Sequence, residues 1–197
     1  MLGQSVGLRY VLGVAVLGLA AIPISGSAEL PLTPAISSTS VTHVDFKSPK
    51  PFDDVTTALE KQLGRFDSDI NRALGTAPPS AAEAESKVRA MEGSSGLMIF
   101  SVRDHGKLLA LKGRKSSARQ YEIGNPLIAL QMTQEDVRAG EYAPLRIYVY
   151  AGDDNFTHVD YDLPSSLFGR FHSLQVDKVA KGLDQKLETL VHSALGN

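Results

Sequence analysis

Apolar residues recur along this chain with several different periods. From Tyr10 to Ile24 the run is almost unbroken. Between Val41 and Phe46 the pattern alternates. Val44 and Phe46 fall on one side and Thr42, His43 and Asp45 on the other, which suits a half-buried strand. Phe52, Val55, Leu59, Leu63 and Phe66 then recur at steps of 3, 4, 4 and 3. That spacing predicts an amphipathic helix of about 14 residues. Pro51 suits its first turn, and Asp53 and Asp54 complement its positive end. Ser80-x-x-Glu83 is a capping box that opens an alanine-rich helix to about Glu92, which Gly93 stops. Gly96–Val102 (GLMIFSV) is continuously apolar and β-branched enough to read as a central strand buried on both faces. Asp104 caps a short helix carrying Leu108, Leu109 and Leu111, closed by Gly113.

A short strand follows at Arg119–Ile123. In Gly124-Asn125-Pro126 the Asn caps a helix and the Pro takes its first position. Leu127, Leu130 and Met132 pack that helix. Pro144–Ala151 and Phe156–Asp162 are strands joined by the turn residues Gly152-Asp153-Asp154-Asn155. Pro164 begins a helical turn. Val176, Val179, Leu183, Leu187, Leu190, Val191 and Leu195 mark a long C-terminal helix. A hairpin beside crossovers predicts an α/β (α+β) protein. The expected form is a single two-layer domain with a mixed sheet of about five strands and helices mainly on one face. The domain is expected over residues 41–197, with a helical insertion near 67–92. Residues 29–40 read as a flexible Pro/Ser/Thr-rich tether.

The first apolar run changes the picture, because it reads as an address. Arg9 is the only charge before it, and Ser25, Gly26, Ser27 and Ala28 follow it. This is the pattern of a signal peptide over residues 1–28, cleaved after Ala28. The competing reading is an uncleaved anchor, but the run is shorter than the ~20 residues a spanning helix needs. The mature chain is therefore expected to be periplasmic or secreted, with no membrane span. The 197 residues carry 20 Lys and Arg against 22 Asp and Glu, a net charge of −2, which argues against a nucleic-acid partner. There is no cysteine, so disulfides, Cys-ligated zinc, Fe–S clusters and thiol catalysis are excluded. No G-x-G-x-x-G, P-loop or G-x-S-x-G occurs. The sequence assigns no cofactor.

Four short motifs follow one another in order: Asp104-His105-Gly106, Gly124-Asn125-Pro126, Pro144-Leu145-Arg146 and Tyr161-Asp162-x-Pro164-Ser165-Ser166. With the amphipathic helix after the first strand, they make the chain resemble a bacterial family called domain of unknown function 302. The resemblance covers residues 41–195 and departs from shorter members at the insertion near 67–92. It implies a small α/β fold and no established activity.

The candidate ligand-binding residues are Asp104, His105, Gly124, Asn125, Arg146 and Tyr161. A helix starting at Asn125 points free backbone N–H groups at whatever lies above the strand end and attracts anions. The plainer reading is a well-capped helix. His105, beside Asp104 at another helix start, could act as a base, a hydrogen-bond donor or a metal ligand. The plainer reading is a structural histidine. Arg146 lies on the strand face of Tyr148 and Tyr150 and could grip a carboxylate, or simply pair across strands. Were the strands parallel, the loops bearing His105 and Asn125 would leave the same edge of the sheet.

Thr-His-Val-Asp also occurs twice, at 42–45 and 157–160. On adjacent strands His43, Asp45, His158 and Asp160 would converge and suit zinc or another divalent metal. Against this, the polar residues could simply face water, and Arg146 nearby would repel a cation. The primary expectation is an exported, non-catalytic module for a small anionic or amphipathic ligand or a partner protein. The alternatives are a hydrolase or lyase with His105 as base, and a metal protein using the repeat.

Overall fold

A computed structural model describes residues 33–70 and 80–196. The leader expected at 1–28 lies outside the described residues, as does part of the insertion near 67–92. The elements all fall within the unit Ser38–Asn197. In order they are β1 (His43–Ser48), α1 (Phe52–Lys61), β2 (Gly64–Arg65), α2 (Ala81–Ala90), β3 (Met98–Asp104) and α3 (His105–Ala110). Then come β4 (Ala118–Gly124), α4 (Pro126–Thr133), a 3-10 stretch Val137–Tyr142, β5 (Leu145–Ala151) and β6 (Thr157–Asp162). The chain finishes with α5 (Pro164–Phe168), a 3-10 turn Gly169–Phe171 and α6 (Leu174–Leu195).

Six strands form one sheet in the order β1-β6-β5-β4-β3-β2. Every neighbouring pair is antiparallel except β2–β3. The mixed α/β architecture expected from the sequence is present, with one strand more than about five. The extra strand lies where a longer helix was expected. The helix stops at Lys61, and Gly64 and Phe66 then donate backbone hydrogen bonds to Leu97 and Ile99 at 2.9 and 3.0 Å. A Cβ on Gly64 would stand 1.7 Å from the Met91 carbonyl oxygen and 2.7 Å from the Gly93 nitrogen. Only glycine admits that approach. Gly64→Ala is therefore expected to cost about 1–3 kcal/mol by forcing backbone apart, read as a lower urea midpoint.

The strand expected at the centre of the sheet lies second from its edge. Its apolar run is covered on both faces for a local reason. Leu97 and Ile99 enter the main core, while Met98 points the other way onto Ile70 and Val88. Beyond the irregularity between Ile99 and Ser101 the strand emerges, and Val102 is exposed. The apolar run reports coverage by the insertion, not a central position.

The main core fills one face. Tyr121, Ile123, Ile147, Val149 and Val159 pack against Val55 and Leu59 of α1 and against Leu183, Leu187, Leu190 and Val191 of α6. Each such side chain contributes about 1.5–3 kcal/mol by leaving water. The caps act as expected: Ser80, Asp104 and Asn125 accept from the N–H groups of Glu83, Lys107 and Leu127. Leu108, Leu111 and Leu130 point to solvent instead of the core.

Candidate functional site

The antiparallel pairing of β3 and β4 separates residues that a parallel pairing would have joined. Met98 sits opposite Gly124 and Asp104 opposite Arg119. His105 and Asn125 therefore leave opposite ends of a seven-residue strand, roughly 20 Å apart at the usual rise. Tyr161 is buried on the helix-covered face, where burial first, then the Glu188 and Asp184 charges, push its hydroxyl up to about 12. Arg146 lies on the opposite face, beside Glu122 of β4. The single hollow uniting these groups does not form.

Their bonds show what each does locally. Asn125 Oδ1 accepts from the Leu127 N–H at 2.8 Å, while Nδ2 donates to Glu92 Oε1 at 2.8 Å and the Gly96 carbonyl at 2.9 Å. Its amide clamps the start of α4 to the loop before β3. Asp104 Oδ1 is spent on the Lys107 N–H at 2.9 Å. His105 packs edge-on against Tyr148, with ring centres 5.7 Å apart, and its Nε2 is buried without a hydrogen-bond partner. A general base needs a proton donor within reach of such a nitrogen.

Two other constellations do assemble. The first is an apolar cleft of about 250 Å³ at the Asn125 end of the sheet. Gly124, Asn125 and Pro126 form one rim, Pro144 and Leu145 another, and Phe66, Phe100, Met132, Phe168 and Leu183 the walls. Phe66 and Phe100 lie with ring centres 4.6 Å apart. A Cβ on Gly124 would reach Phe100 Cε2 at 3.3 Å, so the glycine keeps the mouth open. A second hollow of about 440 Å³ shares Ile128 and Leu183 with the cleft and is lined by Gln131, Gln134, Glu135, Gln175, Lys178 and Lys186.

The second constellation lies on the sheet face away from α1 and α6. The β1–β6 register puts Asp45 directly opposite Asp160 and His43 opposite Asp162. Alternation keeps His158 on the same face, so the two Thr-His-Val-Asp segments meet as one cluster. His158 Nδ1 lies 3.1 Å from Asp45 Oδ1, and its Nε2 lies 3.0 Å from Asp154 Oδ1. His43 Nδ1 lies 3.0 Å from Asp162 Oδ1, and its Nε2 lies 3.5 Å from Asp160 Oδ2. Tyr150 stacks on the His158 ring at 4.7 Å. Asp154, helped by Asp45, raises the His158 pKa above the ordinary range against the pull of burial. His158 in turn holds Asp154 down at about 2. Burial first, then the like charge of Asp45, pushes Asp160 up. Asp154 and Asp162 were not among the candidate site residues read from the sequence. Asp154 looked like a turn residue, and the partnership of Asp162 depends on strand register.

Farther along the same face, Glu122 accepts from Ser101 Oγ at 2.7 Å and Arg103 Nη1 at 2.5 Å. Ser101 and Arg103 hold its carboxyl below the ordinary value of 4.5. Its contribution to stability is therefore whole above that value and fades as pH falls through the lower, folded one. The stability gap between wild type and Glu122→Gln is expected at pH 7 and should close in acid, as read by urea titrations from pH 7 to pH 3.

Fold and sites together define a six-stranded mixed sheet protein with helices mainly on one face, an apolar cleft at one end and a charged patch on the other face. A family model described as "Domain of unknown function DUF302" matches residues 76–194, more than half of the chain. The chain belongs to this family. The match begins after β1, so His43 and Asp45 lie outside it. The chain is also similar to a solved structure, the crystal structure of uncharacterized conserved protein DUF302 from Bacillus stearothermophilus. Identity is 15%, the TM-score is 0.54, and the likeness covers 77% of this chain and 97% of the other. That likeness concerns the fold alone. No curated protein matches the chain.

Proposed function

We propose that this protein is an exported binding module that takes a small amphipathic anion, with the apolar body in the cleft and the charged head near Lys178 and Lys186. One observation carries the reading. Two motifs distant in sequence, Gly124-Asn125-Pro126 and Pro144-Leu145, form facing rims of one apolar cavity. Small-ligand sites are concave, mostly apolar and edged by a few polar groups. The cleft has that composition, and the adjoining hollow supplies two lysines and three glutamines. Export is supported by the signal-peptide pattern of the first 28 residues. Asn125 acts here as a clamp that shapes the rim. His105 and Arg146 lie at the other end and on the other face, so the reading does not use them.

Decanoate tests the proposal, with displacement of 1-anilinonaphthalene-8-sulfonate as readout. Saturable binding of one decanoate per chain is expected. Ala129→Phe, which fills the cleft from a half-buried position on α4, should weaken it at least tenfold, about 1.4 kcal/mol. Charge reversal at Lys178 and Lys186 should weaken decanoate but leave decanol unaffected. Equal binding by folded wild type and folded Ala129→Phe would overturn the reading.

A further inference from the structure

The paired Thr-His-Val-Asp strands form a constellation that the cleft does not involve. Among the described residues, Asp45, His158 and Asp160 each offer one donor atom, and these atoms lie within 4.8 Å of one another. Bonds of ~2.0–2.2 Å from one central ion would span such a triangle after small rotamer adjustments. His158 has a side chain only 8% exposed, so its imidazole is already fixed in place.

The outer partners strengthen the case. A histidine bound to a metal characteristically donates its second ring N–H to a carboxylate, which sets the tautomer and aims the ring. Both histidines of the cluster have this arrangement. His158 turns Nδ1 toward Asp45 and has Nε2 held by Asp154. His43 turns Nε2 toward Asp160 and has Nδ1 held by Asp162. The inner pair of carboxylates is Asp45 and Asp160, the outer pair Asp154 and Asp162. Asp160 Oδ1 is buried with no hydrogen-bond partner among the described residues. Two like charges face each other across β1 and β6, and one of them carries the orphaned oxygen. A divalent cation would satisfy both. Lys47 is bound to Asp154 at 3.2 Å, and Tyr148, not Arg146, stands opposite Asp160 on β5, so neither cation takes that position.

We propose that Asp45, Asp160 and His158, joined by His43, form a binding site for a divalent cation of the zinc class, with Asp154 and Asp162 orienting the two imidazoles. The mixed nitrogen and oxygen donor set selects zinc-like ions over calcium or magnesium, which favour all-oxygen sites. The site shares no residue with the cleft, so it operates independently of the amphipathic ligand.

Titration of the untagged full chain with zinc sulfate, after chelator treatment, tests this, with cobalt(II) as a spectroscopic stand-in. One zinc per chain, visible cobalt absorption of the tetrahedral type and a zinc-dependent rise in melting temperature are expected. Asp160→Asn should weaken zinc at least tenfold without lowering the melting temperature of the metal-free protein, because it removes repulsion with Asp45. Asp154→Asn should weaken zinc about tenfold. Glu122→Gln, on the same face but outside the cluster, should bind as wild type. If Asp160→Asn fails to fold, Asp45→Asn at a more exposed position gives the same reading. Absence of zinc-dependent stabilisation in the wild type overturns the proposal, as does zinc binding undiminished in the folded aspartate variants. Decanoate binding should be the same with and without zinc, so failure of one test leaves the other intact.

Discussion

Phe168→Ala is expected to lower the unfolding free energy by about 3–5 kcal/mol, measured by equilibrium urea denaturation. Phe168 is fully buried, and it closes the cleft wall from α5. Its ring centre lies 5.9 Å from that of Tyr142 and 6.5 Å from that of Phe171. Removing it forfeits the transfer energy of the ring, the ring–ring contacts and part of the packing that cannot collapse into the space. The same change enlarges the cleft. A longer amphipathic anion, tetradecanoate, should therefore stabilise the variant more than decanoate does. The wild type should show the reverse order. An unfolding free energy within 1 kcal/mol of wild type would mean that the cleft is rebuilt from other residues.

Leu187→Ala should cost about 2–5 kcal/mol by the same measurement. Leu187 is fully buried on α6, in the stripe that packs over α1 and the sheet. Leu174→Ala, on the same helix, should change stability by less than about 0.5 kcal/mol, since Leu174 is 87% exposed. The pair of variants tests which face of the helix is buried. Similar losses at both positions would mean that α6 is rotated from the orientation described here.

Helix periodicity was the most readable signal in the sequence. The stripe Val176, Val179, Leu183, Leu187, Leu190, Val191 and Leu195 predicts α6, and all of these residues are buried except the half-buried Val179. Capping chemistry was equally local. Ser80, Asp104 and Asn125 each bond to a backbone N–H within three residues, so no tertiary information was needed. The step pattern through Leu63 and Phe66 misled because periodicity counts apolar positions and cannot see a backbone contact. The close approach of Gly64 to Met91, 27 positions away, ended the helix instead. The apolar run in β3 misled similarly, since burial on both faces can come from an insertion as well as from flanking strands.

The sites divided along the same line. Alternation placed Arg146, Tyr148, His158 and Asp160 on one face, and local rules made Asn125 a cap. Whether His105 and Asn125 share an edge depended on the direction of β3 relative to β4. Whether the repeated Thr-His-Val-Asp segments meet depended on β1 pairing with β6, more than 100 residues later. Short-range sterics and hydrogen bonding are written in neighbouring residues, so the sequence by itself determined the helices, caps, hairpin and strand faces. Strand order, direction and register come from the burial of one whole face of the sheet. For that reason only the tertiary structure decided that the cleft gathers Phe66, Phe100 and Phe168, and that four aspartates close around two histidines.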